Sequence, residues 1–220
     1  MNNNSTSIQI ISIEGNIGSG KSTVVNNLKD HYSENKPLKG IYFLEEPVSE
    51  WIQIQDSTGK NIIEKFYENQ ERYSFSFQMM AYISRLAMLK RAVKECQEKG
   101  HRIIVCERSL QTDKNVFCKM LYDSGKIEDV EFQIYNKWFD EFIKEIPKIN
   151  FIYIETDPKI AYERVIQRSR KGETIEPSYL QMCSDYHDSW LKSNNQNIII
   201  DGNKSSVEVF NEVSNTINNL

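Results

Sequence analysis

Histidine, cysteine and proline are scarce in this chain of 220 residues, and each shortage removes a class of function. The three histidines, His31, His101 and His187, are scattered and show no metal-ligand spacing. The four cysteines, Cys96, Cys106, Cys118 and Cys183, form no CxxC pair, which points away from a disulfide framework and toward a reduced, cytoplasmic compartment. With only five prolines and nine glycines there is no low-complexity linker, no repeat and no domain boundary, so residues 1–220 read as one domain. No apolar run approaches the length of a membrane span. The net charge of −4 lacks the basic excess of a chain that tracks a nucleic-acid polymer. Residues 1–7 have neither an apolar centre nor an arginine, and read as a disordered lead-in instead of a secretory or transit signal.

What is present is concentrated near the start. Gly15-Asn-Ile-Gly-Ser-Gly-Lys-Ser22 fits the phosphate-cradle pattern of a glycine, four free positions and Gly-Lys-Ser. Gly15, Gly18 and Gly20 let the backbone wrap inward around phosphate oxygens, with Asn16, Ile17 and Ser19 as the intervening positions. Lys21 offers a compact positive charge, and the Ser22 hydroxyl can ligate magnesium. A β-branched run precedes the loop at 8–13, and a helical pattern follows at 23–32 from Thr23, which places a helix N-terminus at the anion site. A nucleoside triphosphate site is implied.

Strand-like runs at 8–13, 40–45, 102–107, 150–155 and 197–201 alternate with helical patterns at 62–99 (broken near Tyr73), 114–122, 128–145, from Asp157-Pro158, and from Ser206. Five apolar strands separated by helices predict an α/β three-layer P-loop sandwich, its parallel sheet flanked by helices on both faces. Sites in such sheets lie beyond the carboxyl ends of the strands. The second strand ends in Glu45-Glu46-Pro47, the third in Glu107-Arg108-Ser109. Glu107 is placed to organise a magnesium shell with Ser22, and Glu46 to accept a proton from an attacking hydroxyl. Arg164 and Arg168 share a helix face and Arg170 lies just beyond, which reads as an arginine-rich lid over about 164–176 for the charge of a transferring phosphoryl group.

These motifs, in this order, resemble the deoxyribonucleoside kinases, the group that includes deoxycytidine and deoxyguanosine kinases. The resemblance runs through Ile13-Glu-Gly-Asn-Ile-Gly-Ser-Gly-Lys-Ser-Thr23, Glu46-Pro-Val-Ser-Glu-Trp51, Phe66-Tyr-Glu-Asn-Gln-Glu-Arg-Tyr-Ser-Phe-Ser-Phe-Gln78, Glu107-Arg-Ser109, the arginines and Tyr186-His-Asp-Ser-Trp-Leu191. It implies transfer of the γ-phosphate of ATP, or another nucleoside triphosphate, to the 5′-hydroxyl of a deoxynucleoside with Mg²⁺, in nucleotide salvage. By the resemblance Glu46 is the base, Arg108 steadies Glu46 and the 5′-oxygen, and Tyr67 bonds the 3′-hydroxyl. Gln78 pairs with the base edge, and Ile17, Trp51, Phe77 and Phe117 wall the base. Lys204, with Ser205 and Ser206, falls where the donor base rests in the family, and a homodimer is implied, with no membrane or nucleic-acid partner.

Two further positions bear on specificity. Arg85, seven residues after Gln78, is expected to project into the same pocket, and Asp113 lies six after Glu107. The purine and deoxycytidine kinases of the family carry this pair. A carboxylate accepts hydrogen bonds, so bases bearing an amino group are favoured over thymine. Many members place a glutamate after the lid to hold the 3′-hydroxyl; the matching place here is Met182, with Gln181, Asp185 or a shifted register as substitutes. A thymidylate-kinase-like monophosphate kinase is an alternative, as is a regulatory GTPase with Asp56-Ser-Thr-Gly59 and Asn136-Lys-Trp-Phe-Asp140 as its motifs, though the latter is one residue too long.

Overall fold

The computed structural model describes residues 8–34, 40–170 and 173–219; the expected lead-in at 1–7 and residues 171 and 172 of the expected lid lie outside these. The strands are β1 (Gln9–Glu14), β2 (Ile41–Leu44), β3 (Ile103–Glu107), β4 (Ile149–Glu155) and β5 (Ile198–Asp201). The helices are α1 (Lys21–Glu34), α2 (Val48–Trp51), α3 (Ile62–Glu68), α4 (Gln70–Lys99), α5 (Leu110–Thr112), α6 (Lys119–Asp123), α7 (Asp129–Phe142), α8 (Pro158–Arg168), α9 (Pro177–Leu191) and α10 (Ser206–Asn219).

The five strands form one parallel sheet in the order β2-β3-β1-β4-β5, as the α/β reading requires. Central β1 pairs on one side with β3 (Ile10 opposite Ile104) and on the other with β4 (Ile10 opposite Ile149). The chain fills the β3 side before crossing to β4, so the order reverses at β1, where open parallel sheets bind ligands. The phosphate loop begins at that point.

Alternation along the strands sorts side chains onto two faces. Ile10, Ile104 and Ile149 pack under α4 and α7 with Tyr82, Leu89, Tyr135 and Phe139. Ile11, Ile13, Val105, Ile152 and Ile154 pack under α1 and α10 with Val25, Leu28, Val209 and Val213. Both faces are closed, which explains why the strands read as continuous apolar runs.

Three local features differ from expectation. The long helix breaks at Asn69, before Tyr73: Asn69 sits at φ −150°, ψ 86°, and its side chain accepts from the Arg72 N–H at 3.1 Å, so it caps α4. The helix expected at 114–122 begins earlier, because Ser109 forms a capping box with Thr112. It then passes through a π turn over Asp113–Cys118, a widened turn of the kind found at functional sites. The Asp56–Gly59 segment is an exposed turn closed on Lys65, and Asn136 is tied to the Phe132 carbonyl inside α7, so neither GTPase-like motif reaches the cavity described next.

Candidate active site

Beyond the carboxyl ends of β1, β2 and β3 lies a cavity of about 350 Å³ with a polar end and an apolar end. Ile17, Gly18, Gly20, Lys21, Ser22 and Thr23 form the polar end. Gly18 has φ +80°, and a Cβ there would stand 2.3 Å from the Ala161 carbonyl oxygen, so only glycine lets the loop pass α8. Gly15 likewise has no room, with the Ile154 carbonyl 2.8 Å from a Cβ. Asn16 does not line the cavity; it anchors the loop by donating to the Leu180 carbonyl at 2.9 Å. Lys21 donates to the Asn16 carbonyl at 2.5 Å and to Ser19 Oγ at 3.2 Å. Burial, seconded by the charge of Arg108, lowers its pKa to about 7.

Three acidic side chains, Glu107, Glu46 and Asp113, also line the cavity. Glu107 accepts from Ser22 Oγ at 2.7 Å, bringing together the hydroxyl and carboxylate expected for magnesium. A hydroxyl and a carboxylate are oxygen donors of the kind Mg²⁺ takes, and these two residues would hold it; among the described residues there is no cluster of three metal-ligating side chains. Glu46 is held by Arg108 Nη1 at 3.1 and 3.2 Å and by Arg85 Nη2 at 2.9 Å. Burial pushes Glu46 up, but the two guanidiniums outweigh it and hold the carboxyl near 2. Asp113 receives Arg85 Nε at 2.9 Å, yet its deeper burial prevails and raises it to about 6.

The sharing of Arg85 was not legible beforehand. Arg85 spends Nε on Asp113, Nη2 on Glu46 and Nη1 on the Glu107 carbonyl at 3.0 Å, and it does not line the cavity. It stands behind both carboxylates, which corrects the expectation that it projects into the pocket. Arg108 adopts φ +61°, a left-handed conformation uncommon for non-glycine residues, and lies 5.2 Å over the Phe117 ring.

The apolar end is walled by Trp51, Ile63, Phe66, Phe77, Ala81 and Phe117. Trp51 meets Phe77 edge-on at 5.7 Å, and its indole N–H donates to Ser84 at 2.8 Å. Gln78 enters between these walls, buried, with its Oε1 unpartnered. A buried amide oxygen left open is costly unless a ligand completes it. Tyr67 lines the cavity too, its hydroxyl pushed well up by burial and by the charge of Glu173.

Arg164, Arg168 and Arg170 all reach the cavity. Arg164 donates to the Gly202 carbonyl at 3.1 Å, while Arg168 and Arg170 pair with Glu173. Glu173, missed from sequence, lines the cavity beside Tyr67; Met182, taken as the glutamate's counterpart, is exposed on α9 and Gln181 is bonded to Asp185 on the surface. The signal was available in the first acidic residue after the basic run, three beyond Arg170. Lys204 is exposed, tied to Glu212 at 2.6 Å, and does not line the cavity.

A glycine-bound phosphate loop at the switch point of a parallel sheet, with an arginine-bearing segment opposite, defines a P-loop phosphotransferase. A family model for deoxynucleoside kinase matches residues 11–220. The chain is 34% identical over 96% of its length to the fowlpox virus protein named "Probable deoxycytidine kinase", covering 86% of that protein. It is 34% identical to chicken deoxycytidine kinase 2 (82% of this chain, 73% of the relative) and 32% identical to human deoxycytidine kinase (84% and 76%). The chain belongs to the deoxynucleoside kinase family and is a kinase.

Proposed function

We propose that this enzyme transfers the γ-phosphate of ATP, or another nucleoside triphosphate, to the 5′-hydroxyl of a deoxynucleoside, favouring deoxyadenosine, deoxyguanosine or deoxycytidine over thymidine. The observation that carries the reading is the junction in one cavity: Glu46, gripped by Arg108, lies between the phosphate loop and an apolar slot that ends in the unpaired amide oxygen of Gln78.

The slot takes the base between Phe77, Trp51 and Phe117, with Ile17 at the phosphate edge and the Gln78 amide on the base edge. Asp113, ionised above about pH 6, accepts from an exocyclic amino group; thymine offers none there. Tyr67 and Glu173 hold the 3′-hydroxyl. With the sugar held in this way, the reading puts the 5′-hydroxyl at Glu46. A carboxyl near 2 is a feeble base, but phosphoryl transfer passes through a loose transition state in which the proton moves late, so orientation outweighs basicity. Turning Arg108 toward the 5′-oxygen would weaken its hold on Glu46 and raise its basicity. Lys21, Arg164, Arg168 and Arg170 face the charge that spreads over the transferring oxygens. Ser22 and Glu107 would hold Mg²⁺, which supplies charge neutralisation at the phosphates when bound.

A homodimer belongs to the same reading: Val130, Ile134 and Trp138 are exposed at helical spacing on α7, and Ile83 is exposed on α4, whose Tyr82 donates to the Trp138 carbonyl. Four buried, free cysteines accord with a reducing cytoplasm and a role in nucleotide salvage. The test is phosphoryl transfer from ATP with Mg²⁺ to each of the four deoxynucleosides, for wild type and Asp113→Ala. Transfer to amino-bearing bases that falls in the variant, with thymidine poor in the wild type, is expected. Turnover of a monophosphate alone would sink the reading.

A further inference from the structure

Glu14 is fully buried at the end of β1, one residue before the phosphate loop, and the chemistry above makes no use of it. Ser12 and Glu14 share with Ile10 the strand face turned toward α4, so a polar pair replaces the apolar stripe where it meets the cavity. A buried carboxylate is costly unless its oxygens are satisfied. Ser12 Oγ donates to one of them at 2.7 Å, and the Thr112 hydroxyl donates to the other.

Thr112 is the second half of the capping box that starts at Ser109. The Ser109 N–H donates to Thr112 Oγ1 at 3.4 Å, and the Thr112 N–H donates to Ser109 Oγ at 3.3 Å. Immediately before Ser109 stands Arg108, whose left-handed φ persists only where its surroundings dictate it. The Arg108 N–H donates to the Ile13 carbonyl at 3.0 Å. The turn is thus pinned twice to the last two residues of β1, once by backbone at Ile13 and once by side chain at Glu14.

We propose that Glu14 is a positioning residue: through Thr112 and Ser109 it holds the Arg108 turn, and with it the aim of Arg108 at Glu46, in register with the phosphate loop. Glu14 is followed directly by Gly15, so one carboxylate sets the distance between the phosphate cradle and the Arg108–Glu46 pair. A misplacement of about 1 Å at such a junction costs on the order of a hundredfold in rate. The proposal rests on the kinase reading above.

The experiment compares transfer rates and thermal melts of wild type, Thr112→Val, Thr112→Ser and Glu14→Gln. Thr112→Val keeps the shape and removes the donor; kcat is expected to fall about tenfold or more, with KM for ATP and nucleoside within about threefold. Thr112→Ser restores the hydroxyl and is expected within about twofold of wild type. A Thr112→Val enzyme that melts earlier but keeps its kcat, or changes only KM, overturns the proposal. Should Thr112→Val fail to fold, Glu14→Gln decides: a loss of about tenfold in kcat at unchanged KM supports the clamp, and an unchanged kcat overturns it. A wild type that phosphorylates no deoxynucleoside overturns the kinase reading and the clamp together; an active wild type matched by its variants overturns the clamp alone.

Discussion

The two ends of the cavity are built in opposite ways. The phosphate loop at one end is a contiguous stretch, residues 15–23, whose shape is set by backbone conformation and by close passage of α8. The nucleoside end is assembled from side chains on α2, α3, α4, the π turn and the segment beyond α8. A backbone-built end has no graded response to substitution, since adding one carbon collides with a carbonyl. A side-chain-built end can be retuned one residue at a time, which is how one fold serves several bases. Glu46 and Asp113 show the contrast within the nucleoside end itself: they share Arg85, yet Glu46 is held near 2 and Asp113 rises to about 6, because Arg108 adds a second cation at Glu46.

The largest effect expected is at the junction of the two ends. Glu46→Gln keeps the shape and removes the proton acceptor, and rapid-mixing assays should show kcat down about a hundred- to ten-thousand-fold. Next comes Gly18→Ala, which forces a Cβ against the Ala161 carbonyl at a positive φ; KM for the donor should rise about ten- to a hundredfold, while deoxynucleoside affinity by calorimetry changes little. An equal rise in both constants would show that the ends are not separable.

The pH dependence should divide the two carboxylates. On an amino-bearing nucleoside, kcat/KM is expected to rise by about tenfold per unit below a limb near 6, where Asp113 ionises, and Asp113→Asn should flatten that limb. Stability runs the other way at Asp113. Its raised folded-state value means protonation favours the fold, a contribution present below the ordinary 3.8 and lost as pH climbs through about 6. At Glu46 the depressed value stabilises the fold above the ordinary 4.5, and that contribution fades as pH drops toward 2. The smallest effect belongs to Phe117→Leu, which removes the ring under Arg108 and should cost about two- to tenfold in kcat/KM for nucleoside with the donor constants unmoved.

Much of this was legible in the chain. The five strands fell where their β-branched runs predicted, and Glu46, Arg108, Ser22 and Glu107 met as their strand-end positions implied. The misses have physical causes. Asn69, not Tyr73, breaks the long helix, because its side chain caps the next turn. Glu173 lines the cavity and Met182 does not, because Glu173 pairs with Arg168 and Arg170 while Met182 is exposed on α9. Lys204, expected beside the donor base by the family resemblance, is exposed and pairs with Glu212, eight positions on, at 2.6 Å.

From its residues alone the protein read as a P-loop α/β enzyme: the phosphate cradle is encoded in eight consecutive residues, and the strand-like run before it and the helical pattern after it supply the context that the motif needs. Strand identity was likewise local, since apolar runs of that length leave few other homes. Tertiary structure decided the strand order that puts β1 at the switch point, the exclusion of Arg85 from the cavity, its division between Asp113 and Glu46, and the burial of Glu14 against Thr112. Each of these joins residues tens of positions apart. Which polar group claims which partner in a low-dielectric interior is settled only when every competitor is in place.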